Sequence, residues 1–162
     1  MPNGSKRRSP SLAMFFYGTL KRGQPNYARF CQGALRVERA SVRGRLYRLP
    51  QGYPALVAPR SDVRLLGSAD PLRDALEQRR LNEAQVRLPG GSSVCGELFF
   101  FDDAGSLLPV LDAFEGFDPT GPSLYLRALI PALAESGTLL AWTYLMTETP
   151  PGNSLPEGRW TE

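Results

Sequence analysis

An α+β fold built on a curled, mostly antiparallel sheet is predicted by three features of this 162-residue chain. Segments that read as strands outnumber those that read as helices, and they lie in hairpin-like neighbourhoods. Fifteen prolines and sixteen glycines are spread along the sequence, a frequency that a long-helix bundle would not tolerate. Helix–strand alternation is too sparse for a doubly wound sheet. The length suits one domain with a substantial core, and 42% hydrophobic against 22% charged residues is ordinary for a globular chain.

Residues 1–11 carry Lys6, Arg7 and Arg8 without any apolar pattern and read as a disordered basic tail, leaving residues 12–162 as the domain. The segment MFFYGTLKRG at 14–23 follows. Its adjacent aromatics suit a strand buried on both faces, stopped at Gly18. Gly18 has two readings. It ends a core strand, or it lets the backbone of Tyr17, Gly18, Thr19 and Leu20 approach a ligand and present converging N–H groups.

Residues 26–32 read as a short helix burying Tyr27, Phe30 and Cys31. Residues 34–49 read as strand with a bulge or close approach at Gly44. A turn at 51–54 leads to a brief edge strand at 55–57. Residues 59–67 are polar and irregular. Asp70 then caps a helix with Pro71 at its first position. That helix, over 71–86, is expected to bury Leu72, Leu76 and Leu81 and to pack as an accessory element outside the sheet. SVCGELFFFD at 93–102 is a second aromatic strand. A helix from about Ser106 to Phe114 keeps Pro109 in its first turn and ends at Gly116. Strands at 125–133 and 139–146 follow, and an extended, proline-rich end is docked by Trp160.

Composition removes several chemistries. The chain has no histidine, so Ser–His and Cys–His catalysis and the usual zinc sites are excluded. Two cysteines, Cys31 and Cys95, lie far apart. Arginines are scattered among acidic residues, which argues against a nucleic-acid face, and no segment approaches membrane-spanning length. A cytoplasmic, reduced compartment is the default. Acid–base work falls to carboxylates, Lys or Tyr.

Glu115 is the carboxylate to single out. It closes the third helix, where unpaired carbonyls disfavour negative charge, and Asp112 about one turn earlier adds like-charge repulsion. Both raise its pKa, unless it is simply an exposed helix-end residue. Glu97, inside an aromatic strand, is the rival. Tyr17, Tyr47, Tyr125 and Tyr144 sit in or beside strands and read as core aromatics with satisfied hydroxyls. Arg127 shares a strand face with Tyr125 and can pair with a carboxylate.

In order along the chain, YGTL, GRLYRLPQGYPALV, SVCGELFFF, LDAFEGFDP with LYLR, and AWTYLM resemble the γ-glutamylcyclotransferase-like family, which includes AIG2-like proteins. The resemblance runs from about Phe15 to Met146. It implies a small mixed β-barrel flanked by helices, with a cavity at one end. It also implies a cyclotransferase acting on a small-molecule γ-glutamyl substrate and releasing 5-oxoproline, without metal or cofactor. Glu115 matches the catalytic glutamate and Tyr17–Leu20 the turn that binds the amino-acid end, with Tyr125 and Tyr144 lining the cavity. Residues 59–92 are longer than the connection expected of compact members and read as an accessory insertion that shapes the leaving-group pocket. A non-catalytic module sensing an amino-acid-like ligand, or a γ-glutamyl amide hydrolase, are the competing readings. Oligomeric state is left open.

Overall fold

The computed structural model describes residues 11–161 apart from Pro89. The basic stretch of the predicted tail lies outside the described residues. Nine strands form two sheets. β1 (Leu12–Phe16), β2 (Arg36–Arg43), β6 (Ser93–Phe101), β7 (Leu126–Ala134) and β8 (Gly137–Leu145) pair in the order β2-β6-β1-β8-β7. β2 pairs again with β7, from Ala40 opposite Ala134 to Val42 opposite Ala132, and this closes a five-stranded barrel. All these pairings are antiparallel except β1 with β8, so the barrel is mixed. β3 (Arg45–Arg48) lies between β4 (Pro54–Val57) and β9 (Asn153–Leu155) in a separate sheet.

The aromatic runs behave as buried strands must. All five residues of β1 are buried, and alternate side chains enter different clusters. Ala13 and Phe15 pack with Leu98, Ile130 and Trp160. Leu12, Met14 and Phe16 pack with Leu107, Leu108 and Leu111 of the helix α3 (Ala104–Glu115). At Gly44 an added Cβ would meet the carbonyl oxygen of Val57 at 2.6 Å, so β2 gives way to β3 at a contact only glycine permits. Trp160 is buried and docks the C-terminal segment as expected.

Four expectations need correction. The irregular stretch at 59–67 contains a 3₁₀ turn (Arg60–Asp62) and a two-residue strand, β5 (Leu65–Leu66), on the edge of β7. The end of the chain contributes β9. The helix α3 starts at Ala104, which puts Pro109 inside it rather than in its first turn. The missing N–H is offset by burial of Ala104, Leu107, Leu108 and Leu111.

The fourth concerns α2 (Pro71–Leu81), which Asp70 caps through the N–H of Arg73 as the sequence suggests. Its buried residues are Asp74, Ala75 and Gln78, whereas Leu72 and Leu76 are about half exposed. Polar bonds outrank the leucine stripe here. β1 and β8 pair only at Met14 and Trp142, and beyond that point Gln78 bridges them. Its amide accepts from Ala13 N (3.1 Å) and donates to the carbonyls of Ala13 (2.8 Å) and Leu140 (3.1 Å). Backbone groups left without a ladder partner are thereby satisfied. α1 (Tyr27–Phe30) is a single turn. No described helix is long and apolar enough to cross a membrane.

Candidate active site

The end of β1, the turn after it, the C-terminus of α3 and the starts of β4 and β7 surround a cavity of about 320 Å³. Tyr17, Gly18, Thr19, Leu20, Glu115, Tyr125 and Tyr144 all line it, whereas Tyr47, Glu97 and Arg127, also singled out in the sequence, do not. Phe15, Phe16, Asn26, Tyr53, Pro54, Phe114, Leu124 and Thr143 complete the wall.

Gly18 is there for space. A Cβ on it would sit 2.6 Å from Pro54 Cγ, so the turn can lie against β4 only without a side chain. Asn26 clamps that turn: its N–H donates to Thr19 O (2.9 Å) and its Nδ2 to Thr19 Oγ1 (2.9 Å). Among the described residues, the N–H groups of Gly18, Thr19 and Leu20 donate to no protein acceptor. Three unused donors in a cavity-lining turn are what a carboxylate or oxyanion requires.

Glu115 is the last residue of α3. Gly116 adopts the left-handed conformation (φ 71°, ψ 34°), and Phe117 N–H bonds Asp112 O at 2.9 Å, closing the helix end. The Glu115 side chain is partly buried among aromatics, and burial raises its carboxyl to about 7. The expected repulsion from Asp112 is not the cause. Asp112 accepts from Arg127 Nε (2.8 Å) and Nη2 (3.1 Å) and from the Tyr144 hydroxyl (2.6 Å), so its charge is already answered.

Arg127 is fully buried rather than a surface partner. Its Nη1 lies 3.0 Å from Asp74 Oδ2, its Nη2 donates to Ser68 O at 3.1 Å, and the rings of Phe117 and Trp142 flank it. An added Cβ on Gly67 would touch its Cζ at 2.6 Å. The rival carboxylate, Glu97, is held by Arg22 outside the cavity (Oε2 to Nη2, 2.9 Å).

The three tyrosines have committed their protons. Tyr17 donates to Tyr144 O (2.6 Å), Tyr125 to Pro54 O (2.6 Å) and Tyr144 to Asp112. Burial holds all three pKa values above the usual tyrosine range, so none serves as a base. What remains to each hydroxyl oxygen is its acceptor capacity, which suits an ammonium group. Among the described residues, none from 59–92 lines the cavity.

The family model described as "Gamma-glutamyl cyclotransferase, AIG2-like" matches residues 14–85 and 83–162. The chain belongs to this family. It is 33% identical over 154 residues to the bovine (Bos taurus) gamma-glutamylaminecyclotransferase, covering 93% of this chain and 75% of that one. Among solved structures, an AIG2-like protein from Mus musculus superposes with a TM-score of 0.54 at 22% identity, covering 86% of this chain and 80% of that one. YkqA from Bacillus subtilis superposes with a TM-score of 0.55 at 19% identity. That match covers 93% of this chain but only 39% of YkqA. These likenesses establish the γ-glutamylcyclotransferase-like fold.

Tyr53, Pro54, Asn26 and Leu124 are cavity residues that the sequence reading passed over. The first two lie in QGYP, which carries ordinary turn chemistry, and only the clash between Gly18 and Pro54 shows why that turn sits at the mouth.

Proposed function

We propose that this protein is a γ-glutamyl cyclotransferase that releases 5-oxoproline from a γ-glutamyl amine, with Glu115 as general acid and base. The observation that carries this reading is an unpaired carboxyl held near neutrality beside a turn with three free N–H groups. The turn at Gly18–Leu20 takes the substrate's α-carboxylate, and Glu115 with the tyrosine oxygens takes its ammonium. Glu115 removes one proton from the ammonium. The freed amine attacks the γ-carbonyl carbon, and Glu115 returns its proton to the departing nitrogen as the γ C–N bond breaks. The second proton that the ring nitrogen sheds as it becomes the lactam N–H leaves with the released amine, which departs as its ammonium. The five-membered lactam and the free amine are the products. A base near neutral pH is matched to this two-way transfer. Holding the chain folded for ring closure supplies much of the acceleration.

The walls also bear on the leaving group. Tyr53, Phe114 and Leu124 are exposed apolar side chains on the cavity wall, and among the described residues Glu115 is the one charged residue lining it. An amine without a carboxylate fits this mouth better than an α-amino acid, whose carboxylate would find no cation there. The test is mass spectrometry of reactions with γ-glutamyl amines, γ-glutamyl amino acids and glutathione. 5-Oxoproline from wild type but not from Glu115→Gln supports both reaction and base. Free glutamate as product would mean hydrolysis instead, and binding without any product would leave a sensing module.

A further inference from the structure

A second recess, about 410 Å³, lies on the other side of the turn that follows β1. Four cations from separate parts of the chain line it: Lys21 and Arg22 from the turn, Arg39 from β2 and Arg159 from the C-terminal segment. The single lining carboxylate is Glu97, and it is already occupied. Glu97 accepts from Arg22 N (2.8 Å), Nε (3.1 Å) and Nη2 (2.9 Å). Among the described residues, no carboxylate pairs with Lys21, Arg39 or Arg159. Lys21 Nζ donates to the carbonyl of Trp160 (3.1 Å); burial lowers its pKa, with Glu97 opposing that shift and Arg159 adding to it. Arg159 Nη2 reaches no oxygen and lies 3.6 Å from Cys95 Sγ. Gly96 lines the recess with its backbone, its missing side chain leaving room on the opposite side for the Phe15 ring.

Like charges gathered in a concave site repel one another, and a fold that holds them there is stabilised by an anion. A single carboxylate would leave most of this charge unanswered. A multiply charged oxyanion matches it, and guanidinium forks from Arg39 and Arg159 suit phosphoryl oxygens. The volume accommodates more than one phosphoryl group.

We infer that this recess binds a diphosphate-bearing anion, held by Lys21, Arg39 and Arg159 against Cys95. The site is separate from the cavity that contains Glu115 but shares its turn. Lys21 N–H bonds Gly18 O (3.2 Å) and Asn26 N–H bonds Thr19 O, so the segment that lines one recess is continuous with the wall of the other.

The experiment is titration calorimetry of pyrophosphate, and separately of ADP, into the full chain at physiological ionic strength. Saturable one-to-one binding is expected, at least tenfold weaker in the double variant Arg39→Ser, Arg159→Ser and unchanged in Glu115→Gln. Bound pyrophosphate should also slow alkylation of Cys95, read by mass spectrometry, at least fivefold. Equal affinity for ADP and pyrophosphate assigns recognition to the diphosphate alone, and tighter ADP binding identifies a nucleotide as its source. Three results overturn the inference: no saturable binding, equal binding by the double variant, or alkylation of Cys95 at an unaltered rate. Turnover of γ-glutamyl substrates is a separate readout, so neither conclusion depends on the other.

Discussion

Replacing Glu115 by Gln should make the protein more stable above neutral pH while removing turnover. Burial raises the Glu115 carboxyl to about 7 in the folded chain, against an ordinary value of roughly 4.3 in the unfolded one. A carboxyl shifted upward prefers its proton in the folded state. Below about pH 4 both states hold that proton, and Glu115 costs nothing. Between about 4.3 and 7 the folded state binds more protons than the unfolded one, so stability declines as pH rises. Above 7 the full penalty of the buried charge is present. At about 1.4 kcal/mol per pH unit that interval is worth roughly 3–4 kcal/mol for complete burial. Glu115 is only partly buried, and solvent screening lowers the expected figure to about 2 kcal/mol.

Gln is nearly isosteric with the protonated acid and never ionises, so the variant escapes this cost. Thermal unfolding followed by circular dichroism at pH 8 should show a midpoint about 4–8 °C above wild type. The gap should shrink steadily as pH falls and vanish near pH 4. A Gln variant no more stable than wild type at pH 8 would refute the claim that the carboxyl is held in a dehydrated site. A gap that did not vary with pH would refute its cause.

Other consequences are open to measurement. kcat/KM for a γ-glutamyl amine should fall below about pH 7 as Glu115 takes up its proton; an acid limb near 4.5 would mean a solvated carboxylate or a different base. Arg127→Met strands two carboxylates, the buried Asp74 and the partly buried Asp112, and should cost about 3–5 kcal/mol. A loss under about 1 kcal/mol in chemical denaturation would show that the guanidinium is dispensable. Gly18→Ala drives a methyl against Pro54 Cγ and should lower kcat/KM at least tenfold while costing about 1–3 kcal/mol; wild-type kinetics would mean that the turn moves freely.

The elements that carry the cavity were legible because their sequence signals are local. Adjacent aromatics at 15–17 and 99–101 mark two core strands, and Gly116 marks the helix end at which Glu115 sits. The helix α2 was not legible, for a reason that generalises. Its leucine spacing is a genuine amphipathic pattern, yet the buried face carries Asp74 and Gln78, which answer needs elsewhere in the chain: the guanidinium on β7 and the parting backbones of β1 and β8. Periodicity records how apolar residues are spaced along one element. It holds no record of a polar group 50 or 60 positions away that must be satisfied. The same limit explains the error about Asp112, since its neighbour in sequence is Glu115 but its partner in space is Arg127.

Asp112 and Glu115 are separated by less than one helical turn, and the fold treats them in opposite ways. Asp112 receives a guanidinium and a tyrosine hydroxyl, and its charge is secure. Glu115 receives no such partner, and Tyr17, Tyr125 and Tyr144, the ionisable groups that face it from β1, β7 and β8, are too weakly acidic to titrate beside it. The Cys31 thiol, just after α1, is likewise pushed up to about 12 by burial. Had Arg127 been free to turn toward Glu115, the carboxyl would be held ionised well below neutrality and would serve poorly as an acid. Had Asp112 lacked its partners, its own charge would push Glu115 still higher and make it a poor base at neutral pH. The ion pair between Asp112 and Arg127 removes both hazards at once, leaving burial alone to set Glu115 near neutrality. That is the value the proposed mechanism asks of one residue that takes a proton from an amine and gives it back to another.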